Sequence, residues 1–519
     1  MTNLKTKSLL LGSAVSLVTM GAAQAADLPV KAKATEYVRI CSLYGAGFYY
    51  IPGSDTCLKI GGYWRVETAL GTNNNYSGAY SGPAGAFNRL SNFYETRART
   101  DLQLDTRTAT EYGIVRTFFE GAFTWTSNTY SGTSGLGTQY GTGAFVGSTP
   151  GAVPALSQDG LGSSTLGVYA AFIQFAGFTM GKGISAFDAP WVNYPANNFD
   201  GIVGGSGSVT GVNQLTYTAE LGGGVSFIVS AQDQALYYTT NLWNTAGISA
   251  AGIAGGAYGS NNIGGATVPD LLAKVSVDQA WGTFQAGVAA HNNHVAYYGP
   301  AETLGHPDDK WGFAGQLSLG IKNVPTGAGD SINLQGVYTV GASRYDFQSI
   351  ANTSYAMYGG TGLPGAYQSL GIAGVSDAVF APGTDLKLTT TYGFRGGFNH
   401  NWDPYWSSSL YGAWAAVRYS GAAKSLICSN AAFGAGAGNL GLTGTCNPDF
   451  NLGQIGITTR WTPVKNLAFS AELTYSHLDQ KYSGTITAPA VTGVNKPGAV
   501  YELKNQDTVS ALIRAQRNF

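Results

Sequence analysis

Alternation of polar and apolar residues is the feature that most limits the fold of this chain. About sixteen segments show this period of two, which is typical of β-strands with one wet and one apolar face. Short turns and long polar loops separate the segments alternately. A wide barrel explains so many strands with a shared wet face better than a packed sandwich does. The sequence therefore predicts an all-β, transmembrane antiparallel β-barrel of about sixteen strands with long extracellular loops.

The predicted strands differ in how clearly their two faces separate. Their ranges are residues 57–69, 93–107, 112–125, 166–176, 178–187, 214–221, 225–232, 271–281, 283–292, 310–322, 331–343, 386–402, 406–419, 451–464, 467–477 and 499–519. The two faces separate best in the second strand. Its alternate residues Glu95, Arg97, Arg99, Asp101, Gln103 and Asp105 form the polar face. The fourth is apolar on both faces. That pattern leaves two alternatives: contact with a neighbouring subunit or an inserted loop, or a register slip at a bulge.

Composition supports a barrel with polar groups confined to its lumen and loops. Charged residues make up 11% of the chain, against about 25% in ordinary soluble domains. The 74 glycines suit turns and crowded lumen positions, and the 31 tyrosines suit interface girdles. The net charge of −1 argues against a nucleic-acid partner, which would require a basic stripe.

The first residues have the pattern of a secretory signal peptide. Lys5 and Lys7 supply a basic start, residues 9–23 form a short apolar stretch, and residues 23–25 form a small-x-small cleavage site. A membrane anchor is the alternative, but the apolar stretch is shorter than the roughly 20 residues of a spanning helix. The sequence predicts a signal peptide at residues 1–25, an N-terminal periplasmic segment at 26–56 and the barrel at 57–519.

The last residues form an alternating strand that ends on the aromatic Phe519. A strand at this position needs a pairing partner, and in a closed barrel that partner is the first strand. We therefore expect the last strand to pair with the strand that begins near Cys57. We expect Phe519 on its outward face, where it acts as an assembly signal for the barrel-assembly machinery.

The four cysteines form two local pairs in the sequence, Cys41 with Cys57 and Cys428 with Cys446. Four cysteines allow three connectivities, and the short intervening segments favour the two local disulfides. An oxidising periplasmic or surface location allows them to form. A zinc site is the competing interpretation, but no CxxC motif or histidine stands at ligand spacing. The sequence therefore predicts no metal site.

Two segments resemble the general porins of alphaproteobacteria, the family of the rhizobial and Brucella outer-membrane porins. Residues 41–63 (CSLYGAGFYYIPGSDTCLKIGGY) resemble the opening of that family, and residues 173–182 (IQFAGFTMGK) resemble its hairpin before the constriction loop. The terminal Phe519 agrees with both. The resemblance implies a sixteen-stranded, trimeric channel in the bacterial outer membrane, surrounded by lipid and lipopolysaccharide, that passes small hydrophilic solutes and ions.

In that family the third long loop folds inward as the constriction, and here the corresponding residues are 188–200. Asp188 and Asp200 would present negative charge to the pore, and Pro190 and Pro195 would stiffen the loop. An ordinary surface loop has the same composition, so that alternative stays open.

Basic residues on the facing wall would complete a constriction with a transverse field. Parity places the best candidates on the first three strands: Arg65, Arg97, Arg99 and Arg116. The alternative is that these arginines only neutralise the lumen carboxylates Glu95, Asp101 and Glu120. Both interpretations can hold together.

An enzyme is not expected. The five histidines are scattered, no GxSxG motif is present, and the glycine-rich residues 201–207 lack the ending of a phosphate-binding loop. No cofactor is expected either. The sequence predicts a general diffusion channel, with two alternatives: a barrel adhesin or receptor that acts through its long loops, and an outer-membrane lipid hydrolase.

Overall fold

The computed structural model describes residues 39–71, 93–126, 164–233, 239–490 and 496–519. Within them, sixteen antiparallel strands form one closed barrel, which confirms the predicted architecture. The predicted signal peptide lies outside the described residues and stays a prediction. No helix in the described part of the chain combines the length and apolar character needed to cross a membrane.

The barrel strands are numbered here in chain order. They are β1 (Cys57–Leu70), β2 (Tyr94–Thr110), β3 (Gly113–Thr126), β4 (Ser164–Phe175), β5 (Phe178–Gly183), β6 (Val212–Gly222), β7 (Val225–Gln232), β8 (Asp270–Gln279), β9 (Gly282–Asn293), β10 (Lys310–Lys322), β11 (Ser331–Val340), β12 (Thr390–Asn401), β13 (Trp406–Arg418), β14 (Phe450–Val464), β15 (Leu467–Gln480) and β16 (Gln506–Asn518). Seven short turns lie at one end of the barrel, and the long connections that the structure describes lie at the other. We call these the short-turn end and the long-loop end.

The barrel closes through β1 and β16, as the sequence predicts. Their register runs from Tyr63 opposite Asn518 to Leu70 opposite Ala511. Phe519 follows directly and donates its backbone N–H to the carbonyl of Gly62. Its ring lies 5.6 Å from the ring of Trp64 on the outer surface.

Alternation sorts the side chains between lumen and outer surface. On β2, Glu95 is 2% exposed inside the barrel and its neighbour Tyr94 is 58% exposed outside. Large outward aromatics gather near both ends of the barrel: Trp281, Trp406 and Trp461 at the short-turn end, and Tyr94, Trp125 and Trp311 at the long-loop end. Two such girdles are the usual mark of the two membrane interfaces.

The β4 strand contains a bulge, which explains its two apolar faces. Val168 stands opposite Gly121 and Ala170 opposite Glu120, so Tyr169 is the extra residue. Side chains beyond the bulge exchange faces. The register slip offered as one alternative is therefore confirmed. Contact with a neighbouring subunit or an inserted loop stays a prediction.

A tight hairpin turn joins β4 and β5. Ala176 and Gly177 both have positive φ values, 49° and 85°, which suits the right-handed twist of a two-residue hairpin. A Cβ atom on Gly177 would lie 2.8 Å from the carbonyl oxygen of Thr218. Glycine at this position lets the neighbouring strand approach closely.

Three predicted strand boundaries are wrong by four residues or more. The fifth strand ends at Gly183, because the chain turns into the barrel before Phe187. The twelfth begins at Thr390, since Lys387–Leu388 belongs to a separate sheet. The predicted last strand, 499–519, is two elements, with Ala499–Leu503 in another small sheet. Local alternation does not distinguish a barrel strand from a strand in a loop.

The long connections carry their own secondary structure at the long-loop end. One four-stranded sheet contains Asn241–Asn244, Ser260–Asn261, Ser376–Phe380 and Lys387–Leu388; a second contains Ser354–Gly359, Gln368–Gly374, Thr485–Ala488 and Ala499–Leu503. Two helices, α1 (Ala250–Ala254) and α2 (Gly421–Cys428), pack beside them. The largest hydrophobic cluster joins these loops through Trp243, Tyr355, Phe433 and Tyr501. The loops therefore form a folded layer rather than independent excursions.

Both local cysteine pairs form disulfides in the structure. Cys41 bonds to Cys57 and ties the described part of the N-terminal segment to the start of β1. Cys428 bonds to Cys446 within the connection between β13 and β14. In the chain-entropy model, a disulfide that closes a loop of this length stabilises the folded state by about 3 kcal/mol.

Candidate functional site

The connection between β5 and β6, residues 184–211, folds into the barrel and lies against its inner wall. We call it the inner loop. Side chains from the lumen faces of nine strands bind it: Arg97, Gln232, Lys274, Gln316, Asn333, Arg395, Gln454, Glu472 and Arg514. The alternative that residues 188–200 form an ordinary surface loop does not agree with this geometry. Each of these residues follows the lumen parity of its own strand, so the alternation that builds the barrel also supplies the contacts.

Asp188 closes the base of the inner loop. Its carboxylate accepts hydrogen bonds from Ser206 Oγ at 2.5 Å and from the backbone N–H and Oγ of Ser208 at 2.7 Å. Its side chain is buried, with the residue 3% exposed. Burial raises the pKa of this carboxyl, against the opposing effect of the serine hydrogen bonds. The structure therefore places Asp188 in a structural clamp, away from the pore surface where the sequence analysis expected it.

Arg395 on β12 holds the two limbs of the inner loop together. Its guanidinium donates to the carbonyl of Val192 at 2.5 Å and to the carbonyl of Ser206. Gln335 on the adjacent strand accepts from its Nε at 2.8 Å. Arginine suits this position because its planar group presents donors in several directions at once.

Glu472 on β15 anchors the tip of the inner loop. Its two carboxylate oxygens accept the backbone N–H groups of Asn198 and, at 3.1 Å, Phe199. Tyr411 and Thr458 donate to the same carboxylate at 2.6 and 2.9 Å. A buried carboxylate with four donors is well satisfied, so this contact fixes the loop tip to the wall.

Asp200 joins the inner loop to a chain of alternating charges on β2, β1 and β16. Its carboxylate lies 3.0 Å from Arg97. Arg97 also pairs with Glu67, which pairs with Arg514 at 2.6 Å. Tyr194 donates its hydroxyl to Asp200 at 2.7 Å. Burial favours the neutral acid, but the nearby arginines outweigh it and hold the pKa of Asp200 at about 2.

This contact changes the geometry expected for the constriction. The sequence predicts an acidic loop across the lumen from a basic wall. In the structure the Asp200 carboxylate is in direct contact with that wall, through Arg97. The charges of the loop end and the wall therefore neutralise each other at this point. The other arginines of the wall lie outside this contact.

Arg65 and Arg99 form a partly exposed part of the basic wall. They stand directly opposite each other on β1 and β2, both on the lumen face. Arg65 donates to Gln516 at 2.8 Å and Arg99 to Thr124 at 2.9 Å, and neither forms an ion pair in the described structure. Arg116 lies further toward the short-turn end, where Asp105 at 3.0 Å neutralises it.

The three predicted lumen carboxylates occupy different depths. Glu95 lies near the long-loop end of β2. Asp101 pairs across β1 with Tyr63 and accepts a hydrogen bond from Gln103 at 3.0 Å. Glu120 on β3 stands opposite Gln103, diagonal to Asp101. These acids face the lumen as expected, and Arg97 and Arg116 form ion pairs with three further acids, Glu67, Asp200 and Asp105.

Sequence reasoning missed four important lumen residues: Glu67, Arg395, Glu472 and Arg514. The available signal was their parity, since each is a charged residue on the wet face of a predicted strand. Parity could have placed them in the lumen. It could not have shown which of them contact the inner loop.

Four of the five histidines pair with aspartates. His291 with Asp270, His294 with Asp309, His400 with Asp330 and His477 with Asp507 lie between 2.6 and 2.8 Å apart. The His291 pair is completely buried, and Tyr345 donates to the same carboxylate at 2.6 Å. This group ties the connection between β11 and β12 to the barrel wall.

We expect Asp200→Asn to move the reversal potential of the channel toward anion preference. The substitution removes a charge from the pore, while Arg97 retains Glu67 as its partner. Asp188→Asn is the matched control, and we expect it to leave selectivity unchanged because that carboxyl is buried in the clamp. Bilayer recordings under a salt gradient measure both. Equal shifts in the two variants, or no shift in either, would contradict this assignment.

The same contact predicts a pH dependence with a definite sign. The folded-state pKa of Asp200, about 2, lies below the ordinary value of about 4. Its stabilising effect is therefore complete above about pH 4 and is lost as the pH falls toward 2. We expect the wild type, unlike Asp200→Asn, to lose about 2 kcal/mol of stability from this group over that interval.

Comparison with known proteins gives a family for this architecture. A family model described as "Porin subfamily" matches residues 27–512. Porin Omp2b of Brucella suis biovar 1 (strain 1330) is 30% identical over 301 residues, 56% of this chain and 66% of that protein. Porin Omp2a of Brucella abortus (strain S19) is 43% identical over 124 residues, 24% of this chain and 35% of that protein. The chain thus covers slightly less than two thirds of the length of the first of these relatives.

A solved structure shows the same fold. The outer membrane channel DcaP of Acinetobacter baumannii matches with a TM-score of 0.54 and 15% identity, over 91% of this chain and 99% of that one. At this identity the likeness concerns the fold alone. Together with the family match and the two aromatic girdles, it places the barrel in the bacterial outer membrane.

Proposed function

The chain belongs to the porin subfamily, and on that premise we propose that it forms a general diffusion channel for small hydrophilic solutes and ions. The observation that carries the proposal is a closed barrel whose polar lumen is narrowed, but not filled, by an inward loop. Arg65, Arg99 and Arg116 keep partial exposure inside the barrel. Water and solutes can therefore reach the wall beside the loop.

Two spaces remain beside the inner loop. One, of about 620 Å³, lies between the loop tip and β14, β16 and β1. The other, of about 420 Å³, is lined by residues of β3 to β7 that include Glu120, Gln174 and Thr216. The mainly polar lining of the first space suits hydrated solutes and would exclude apolar molecules, which do not compensate for the ordered water they displace. The second space has a more apolar lining, with Phe118 and Phe172 beside Glu120 and Gln174.

The proposed assembly is a homotrimer in outer-membrane lipid and lipopolysaccharide, inserted by the barrel-assembly machinery. The family membership supports this proposal, as does the outward apolar surface between the two aromatic girdles. The family also points to a channel rather than an enzyme. The histidines agree with a structural role, since four of them form aspartate pairs.

Reconstitution of the purified protein into planar bilayers tests the proposal. We expect a large, ohmic current that passes several small ions. The same protein, denatured by heat before reconstitution, serves as the control. A well-folded barrel without current would contradict the channel function and would favour an adhesin or a lipid hydrolase. Cell-binding and lipid-release assays then separate these two.

A further inference from the structure

We propose that the 620 Å³ cavity beneath the tip of the inner loop is a binding subsite for small hydroxylated anions, with sugar acids as the chemical class. This inference rests on the proposed channel function and specifies which solutes the channel favours. It depends on three arginines that line the cavity, Arg65, Arg460 and Arg514, and on the absence of any carboxylate among the described residues that line it.

The charged residues that line this cavity are all arginines. Arg514 and Arg97 are neutralised by Glu67 and Asp200, two cations against two anions. Arg65 has no carboxylate partner in the described structure, and its guanidinium lies 4.6 Å from the ring centre of Tyr63. Arg460 on β14 donates no hydrogen bond to another described residue. The lining therefore includes two arginines, Arg65 on β1 and Arg460 on β14, that form no ion pair with a described residue; Glu67 and Glu472 act on them from outside the lining.

Arg99 adds a third cation beside the cavity. It stands directly across from Arg65 in the β1–β2 register, and like charges in that position destabilise a sheet. Two acids flank this pair on these strands, Asp101 two residue pairs closer to the short-turn end and Glu67 two residue pairs closer to the long-loop end. An anion between the guanidinium groups would relieve this repulsion, because arginine binds carboxylates through two parallel hydrogen bonds.

The rest of the lining indicates hydroxyl groups on the same solute. Side-chain amides line it at Asn197, Asn198, Asn333, Asn399 and Gln516. Each donates one N–H to another group of the protein, which leaves its second N–H for a solute. An amide both donates and accepts, which matches a hydroxyl group, whereas a bare inorganic anion only accepts. Guanidinium and amide groups in one cavity thus fit a carboxylate with a hydroxylated chain.

Channel recordings with gluconate as the probe test this subsite. For the wild type we expect a reversal potential that shows anion preference under a potassium chloride gradient. We also expect gluconate, but not glucose at the same concentration, to produce reversible current blocks. Arg460→Gln and Arg65→Gln should each shift the reversal potential toward cations and shorten or abolish the gluconate blocks.

Arg517→Gln is the matched control. Arg517 lies three residues from Arg514 on the same strand, but on the outer surface. The control also removes one positive charge, and it should change neither the reversal potential nor the gluconate blocks. Cation preference in the wild type, or gluconate blocks that persist in both lumen variants, would overturn the subsite. Wild-type protein without any current would instead contradict the channel function itself.

Discussion

Glu472→Ala is expected to release the tip of the inner loop and to widen the channel. The substitution leaves the backbone N–H groups of Asn198 and Phe199 without their acceptor, and the hydroxyl groups of Tyr411 and Thr458 lose a partner. Breaking a buried network of this kind costs about 3–5 kcal/mol. We expect lower stability in denaturant together with larger single-channel conductance and faster permeation of bulky solutes.

Two variants make this test specific to the loop. Glu472→Gln keeps one acceptor oxygen and should have an intermediate effect. Thr458→Val removes one donor from the same carboxylate but leaves both loop contacts in place, so it should lower stability slightly without a change in conductance. If Glu472→Ala lost stability while its conductance and solute size limit stayed at wild-type values, the loop would not be the constriction.

Phe519→Asp is expected to reduce the yield of assembled barrels by about tenfold or more. The ring of Phe519 packs 5.6 Å from Trp64 at the seam where the barrel closes. Loss of this apolar and aromatic contact costs about 2–4 kcal/mol, and each 1.4 kcal/mol corresponds to a factor of ten. The last strand then pairs less stably with β1, so closure is less favourable.

The yield of heat-modifiable, folded protein in outer-membrane fractions measures this effect. Phe519→Tyr keeps the ring and should assemble normally, which separates loss of the ring from any change at the last residue. Secretion should be intact in both variants, because residue 519 is far from the predicted signal peptide. Wild-type amounts of folded Phe519→Asp protein would contradict an assembly role.

The strands of this protein could be predicted from sequence because their signal is local. A period of two is visible within eight residues, and the lumen parity of β2 follows from Glu95, Arg97 and Asp101 alone. The two disulfides followed in the same way from short intervening segments. The failures had a common cause. Residues 499–503 also alternate, but their partners lie in loops and not in the barrel.

The inner loop depended on contacts that no local pattern contains. The same short segment holds Asp188 and Asp200, which look equivalent in sequence. Asp188 is enclosed by Ser206 and Ser208, whereas Asp200 meets Arg97 from a strand 103 residues away.

What the sequence by itself determined is the barrel, its wet and apolar faces, its closure and its compartment, since these follow from alternation and from composition. Only the tertiary structure decided which charges remain available to a solute. Asn198 meets Glu472 across 274 residues of chain, and Arg65 lacks the carboxylate that Arg97 has. Charge compensation in the lumen is a property of distances between strands and the inner loop, and those distances exist only after the barrel has closed around the loop.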